Sequence, residues 1–135
     1  MRVIATGLMV AAIACSNPTG PGDRLPIGTW GGDHVALEVT VEGGRIEYDC
    51  AHGNLGEPLV VDRSGRFDVT GTHTPEHGGP VREDEALVSH PARYVGRVDG
   101  GLMTLTVTVT VSNTAETLGT FALTRGVAGR LLKCL

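Results

Sequence analysis

The chain has 135 residues, 41% hydrophobic, 19% charged and 4% aromatic, with 20 Gly and a net charge of −4. That length holds one domain, and the apolar share excludes a disordered chain. With no basic excess, and Lys133 the single lysine, nucleic acid is not an expected partner.

Residues 1–14 read MRVIATGLMVAAIA, a charged start followed by a short apolar run. The run is shorter than the roughly 20 residues of a membrane-spanning helix, and it fits a secretory signal removed on export. Ala12-Ile13-Ala14 is a small-x-small cleavage site, and Cys15 follows at once. The stretch Ala12-Ile13-Ala14-Cys15 resembles the lipobox of bacterial lipoproteins, which implies lipidation of Cys15 and anchoring to a membrane. Ser16 after the cysteine resembles the outer-membrane sorting pattern of enteric bacteria. The expected location is the cell envelope, at the outer membrane or its periplasmic face. The alternative is an ordinary signal peptide cut at the same bond, a secreted product and a free Cys15. Residues 15–26, rich in Pro, Gly and Ser, are expected to form a flexible tether ahead of a domain over 27–135.

Lipidation of Cys15 leaves Cys50 and Cys134, which an oxidising compartment lets bridge. The alternative is two buried free thiols.

Beyond the tether the apolar period is two, the signature of strands. Val35, Leu37, Val39 and Val41 alternate with Ala36, Glu38, Thr40 and Glu42. Ile46, Tyr48 and Cys50 continue to His52, and Leu59 and Val61 form a short run. Phe67, Val69 and Gly71 continue to His73, while Tyr94 and Val98 share a face across Gly96. Leu105, Val107, Val109 and Val111 alternate with four threonines, and Phe121 and Leu123 close the series. Turn chemistry separates the runs at Gly43-Gly44, Ser64-Gly65, Gly100-Gly101 and over Ser112–Glu116. The pattern predicts an all-β fold: one small antiparallel up-and-down barrel of about eight strands, with the Val and Leu stripe inside and the Thr stripe outside.

Gly28-Thr29-Trp30 resembles the Gly-x-Trp opening of lipocalin-like and avidin-like barrels. In lipocalins a late Arg packs over that Trp, and Arg125 is the residue that would match it. With GTWGGDH, EYDCAHG and EHGGP, the chain also resembles small lipoproteins of soil bacteria, a likeness that implies no activity. Tyr48-Asp49-Cys50-Ala51-His52-Gly53, with Cys134 at the far end, is similar to lipid-anchored lysozyme inhibitors of the C type. In those barrels the Tyr-x-Cys cysteine bridges to a C-terminal one.

Counting register gathers the polar chemistry. The Gly43-Gly44 hairpin is expected to pair Val41 with Ile46, Leu37 with Cys50 and Val35 with His52, leaving Asp33 and His34 just beyond. The Ser64-Gly65 hairpin pairs Val61 with Phe67 and brings His73 near Leu55. His52 and His73 then point inward at one rim, about 10 Å apart with one strand between them. The loop Thr74–Pro91, with Glu76, His77, Glu83, Asp84, Glu85 and His90, leaves from the same end, so all five histidines meet there.

Imidazole beside carboxylate suits Zn²⁺ and similar divalent ions. The expected site has His52 and His73 as inward ligands, completed by His34 or His77 and supported by Asp33 or Glu76. The alternative is a polar rim that satisfies strand ends.

Ser16, Ser64, Ser89 and Ser112 lie in no nucleophile elbow, and no phosphate loop follows a strand. The chain is therefore expected not to be an enzyme. The reading is a binding module for a small ligand or divalent metal, or else an interaction protein such as an inhibitor of a secreted lysozyme or protease. The last strand descends away from the histidine end, so Gly126–Cys134 must return along the barrel, as a strand at Leu131 and Leu132 or as coil.

Overall fold

Eight antiparallel strands close into one up-and-down barrel, as the alternation predicts. The computed structural model describes residues 22–80 and 82–134, so the signal segment and Cys15 lie outside the described residues. The strands are β1 (Gly28–Gly32), β2 (Val35–Val39), β3 (Gly44–Tyr48), β4 (Ala51–Leu55), β5 (Arg66–Pro75), β6 (His90–Asp99), β7 (Leu102–Val111) and β8 (Thr114–Arg125). Each pairs with the next in sequence, and β8 returns to β1. The closing seam is short: β8 pairs with β1 only at Trp30–Arg125 and Gly31–Thr124, and the rest of its ladder is with β7.

The β-branched and aromatic stripe fills the interior. Trp30, Val35, Leu37, Ile46, Phe67, Tyr94, Leu105, Val107 and Leu123 are almost fully buried. The threonines of β7 face out, where Thr106 and Thr120 bond across the strands at 3.0 Å. Loop 56–65 covers one end. Its Leu59 and Val61 are buried there, not in a strand of the wall, and Arg24 bridges to Val60. Leu25 N donates to Leu59 O at 2.8 Å and Val61 N to Asp23 O at 3.0 Å. Over residues 22–26 the expected tether is thus part of the fold, because Leu25 has an apolar floor to bury against.

Two tight turns, at Asp33-His34 and at Asp49-Cys50, carry no glycine, and they correct the expected registers. Gly32 pairs with Val35, so Asp33 and His34 alone join β1 to β2, with His34 at a φ of 64°. Tyr48 ends β3 and Ala51 begins β4, so Ile46 to His52 is a hairpin and not one strand. Leu37 pairs with Ile46 and Val35 with Tyr48. Val41 falls into the β2–β3 turn and is exposed, because Thr40 N donates to Gly43 O at 3.0 Å and closes that turn early.

The C-terminal segment is coil with one bridging residue, Arg130, beside Asp33. It climbs the outer face of β1 and β2. A side chain at Gly31 would meet the backbone of Val127 at 2.2 Å, so only glycine lets the segment lie this close. At the top, Leu132 N donates to Asp49 Oδ1 at 2.7 Å and Cys134 N to Asp49 O at 3.1 Å. Cys50 and Cys134 form a disulfide pair with Cα atoms 5.3 Å apart.

Candidate functional site at the barrel mouth

The mouth opposite the floor is ringed by the β1–β2 turn, the β3–β4 turn, the β5–β6 loop and the β7–β8 turn. All five histidines stand there, as expected from the strand count. Their directions differ from the expectation and sort them into two groups.

His34, His52 and His77 lie on the outside, each paired with a carboxylate. His34 Nδ1 donates to Asp49 Oδ2 at 2.6 Å and His52 Nδ1 to Glu76 Oε1 at 2.6 Å. His77 Nε2 donates to Glu85 Oε1 at 2.5 Å, and its Nδ1 to Gly78 O at 2.9 Å. These bonds raise the His77 pKa, the Gly78 carbonyl first and Glu85 next. Asp33 pairs with Arg130 at 2.6 Å, away from the histidines. Lys133 Nζ bonds Glu47 at 2.9 Å, Tyr48 O at 2.8 Å and Glu76 at 3.4 Å, tying the C-terminal segment to this outer group.

The inward pair is His73 and His90, which are register partners on β5 and β6. The expectation that His52 and His73 face one ion is corrected here. The turn at Asp49-Cys50 reverses the chain, Ala51 and Gly53 point in, and His52 points out beside Glu47. His52 and His73 also sit on adjacent strands, where Gly53 is the partner of His73. Among the described residues no three His, Cys, Asp or Glu side chains are grouped to hold a metal ion.

What the inward face builds is an apolar recess. A cavity of about 330 Å³ is lined by Tyr48, Ala51, His73, Pro75, Leu118 and Phe121, with His34, Asp49 and Cys50 at its edge. A second lobe of about 280 Å³ shares His73, Pro75 and Leu118 and adds His90, Val109, Val111, Glu116 and Thr117. The Tyr48 ring meets His73 edge-on, with centroids 5.4 Å apart, and Phe121 at 5.5 Å. His73 and Tyr48 are each 6% exposed.

Behind the lining of this recess, the buried Tyr48 hydroxyl has the Tyr94 hydroxyl as its neighbour, and buried His73 Nδ1 has no hydrogen-bond partner among the described residues. Buried polar groups are rarely left so, and each such group costs about 1–3 kcal/mol. Burial lowers the His73 pKa, with His90 and His52 adding to the effect, and burial also raises that of Tyr48. Both groups are therefore neutral near pH 7, able to donate or accept a hydrogen bond.

The depressed His73 pKa has a consequence for stability. An unfolded chain takes up this proton near pH 6.5, the folded barrel only at lower pH. Stability is therefore lost as pH falls from about 7 through the unfolded value. His77, with the opposite shift, acts in the opposite sense from an exposed position. In urea melts at pH 7 and pH 5, His73→Gln is expected to show a smaller acid loss than the parent chain. An equal loss in both would remove this role from His73.

Sequence reasoning counted Tyr48 and Phe121 as core, placed Glu116 in a turn over Ser112–Glu116 and passed over Leu118; the turn is only Ser112-Asn113, and Glu116 stands in β8. Val107 pairs with Gly119 but Thr108 with Thr117, so Leu118 is an extra residue, a β-bulge. The signal was present: Leu118 is out of phase with Phe121 and Leu123. Arg125 is the backbone register partner of Trp30, with its own side chain exposed. Comparison with protein-family models, curated proteins and solved structures finds no match to this chain.

Proposed function

We propose that this protein is an exported, lipid-anchored barrel of the bacterial cell envelope that binds a small organic molecule at its mouth without catalysis. One observation carries the reading: an apolar recess at the mouth is lined by His73 and Tyr48, and His73 Nδ1, buried behind that lining, has no hydrogen-bond partner among the described residues. That combination, an apolar cleft with a few convergent polar groups, is the usual make-up of a small-molecule site. The volume suits an apolar body of roughly 11 water-sized atoms, taking 30 Å³ for each. A ligand polar atom would satisfy His73, and Tyr48, Phe121, Leu118 and Pro75 would cover the rest. Cys15 supplies the anchor, and residues between it and the barrel floor supply the reach.

An NMR titration of the full chain with 2-phenylethanol tests the reading. Resonances of His73, Tyr48 and Phe121 are expected to shift together and saturate, and Leu118→Trp, which fills the recess, is expected to abolish the shifts. Tyr48→Phe keeps the ring that lines the recess and removes only the buried hydroxyl beside Tyr94, so stability is expected to hold within about 1 kcal/mol and probe binding to persist. No shift at these residues up to millimolar probe would overturn the site.

A further inference from the structure

The bulge at Leu118 does more than widen the mouth. Without it the pairing of Val107 with Gly119 would continue regularly, and Glu116 would stand opposite Thr110 on the outer face. There a glutamate on a solvated strand would call for no explanation. The extra residue shifts the register by one, makes Glu116 the partner of Val109, and so turns it to the mouth side of the strand, where it stays solvent-exposed. Val109 is buried, and Glu116 lines the second lobe beside His73 and His90. Bulges commonly serve to re-aim a side chain at a functional site.

Three other carboxylates at the mouth are paired. Asp49 is held by His34 and by the Leu132 amide, and Glu76 by His52 and Lys133. Glu85 is held by His77. Lys133 is committed to Glu47, Tyr48 O and Glu76, and Arg130 to Asp33. Glu116 takes part in none of these pairs, and among the described residues no arginine or lysine lines either lobe. A lone carboxylate beside an apolar recess favours a positive ligand group and disfavours a negative one. The aromatic faces of Tyr48 and Phe121 in the neighbouring lobe act in the same direction.

Resting on the mouth-site reading, we propose that the ligand is a small organic amine: its apolar body enters beside Tyr48 and Phe121, and its ammonium group pairs with Glu116. His73, which lines both lobes, is the hydrogen-bonding group between the two ends. The amine is bound as the protonated species, and no bond is made or broken.

Three probes with the same ring and different charge separate this proposal from the broader reading: 2-phenylethylamine, 2-phenylethanol and 3-phenylpropionate. Each is titrated into the full chain at neutral pH by calorimetry. The amine is expected to bind about threefold more tightly than the alcohol, as an ion pair to an exposed carboxylate allows. The carboxylate is expected to bind most weakly. Glu116→Gln is expected to bring the amine down to the affinity of the alcohol and leave the alcohol unchanged, with the melting temperature as the control for folding. Equal affinity for amine and alcohol, or a preference for the carboxylate, would overturn the amine assignment and leave the mouth site standing. An equal loss of both probes in Glu116→Gln would make Glu116 a structural residue and overturn it too. Failure of all three probes to bind would overturn the mouth site and the amine assignment together.

Discussion

Replacing both Cys50 and Cys134 with serine is expected to lower the stability of the folded chain by about 4 kcal/mol, and its melting temperature by roughly 15 °C. The two cysteines are 84 residues apart, so the bridge closes a loop that takes in most of the barrel. In the chain-entropy model a loop of that length removes a large part of the unfolded chain's freedom. The folded state also keeps other ties at the same place. Asp49 accepts from the amides of Leu132 and Cys134, and Lys133 reaches across to Glu47 and Glu76. These contacts hold the C-terminal segment without the sulfur bond, so the barrel itself is expected to remain and the loss to fall mainly on the unfolded side. Reductant should lower the melting temperature of the parent chain by the same amount and leave the double variant unchanged. An unchanged melting temperature in the variant would mean that the unfolded chain is already compact around this loop.

The same segment shows which parts of the fold were legible. β5, β6 and β7 are long and alternate cleanly, and periodicity was enough to place them, whereas β8 begins inside the stretch read as a turn and carries a bulge. Trp30 and Arg125 are backbone register partners across the closing seam, with the Arg125 side chain exposed. The first four strands are only five residues each, and two of their turns are Asp33-His34 and Asp49-Cys50. Neither pair carries the Gly or Asn that usually marks a hairpin. His34 occupies the left-handed region instead, its imidazole bonded to Asp49 in the second of those turns. Each turn brings support to the other, a tertiary effect that no local reading contains.

That omission decided the histidine geometry. A hairpin read as one strand keeps the side-chain alternation running, and His52 then shares the face of Tyr48. The real reversal at Asp49-Cys50 puts Tyr48 and Ala51 on the inner face and His52 on the outer one. The gathering of polar groups at one end survived the error, because it depends only on strand direction. The convergence of particular imidazoles did not, because it depends on parity. The bulge at Leu118 is the same lesson in reverse: one extra residue turned Glu116 to the mouth side of its strand, where a regular strand would have left it on the outer face.

Trp30→Ala is expected to be the most damaging single core substitution, at about 3–5 kcal/mol, the range for removing a buried tryptophan. Trp30 is 1% exposed and stands on β1, where the barrel closes on itself. That closure is slight. β1 and β8 share only the pairs Trp30–Arg125 and Gly31–Thr124, whereas β6 and β7 share a ladder from Ala92–Val109 to Asp99–Leu102. The indole therefore supplies much of the contact that the short seam lacks. Its Nε1 has no hydrogen-bond partner among the described residues, so the loss in Trp30→Ala is one of packing and not of a bond. Trp30→Phe keeps most of the apolar volume and removes the unpaired N–H, and it is expected to cost much less than the alanine variant. Hydrogen exchange places the damage. Amides of β1 and of the C-terminal half of β8 should lose protection in Trp30→Ala, while those of β6 and β7 keep theirs relative to the variant's own global stability. Uniform loss across all strands would mean that the seam opens only when the whole barrel does.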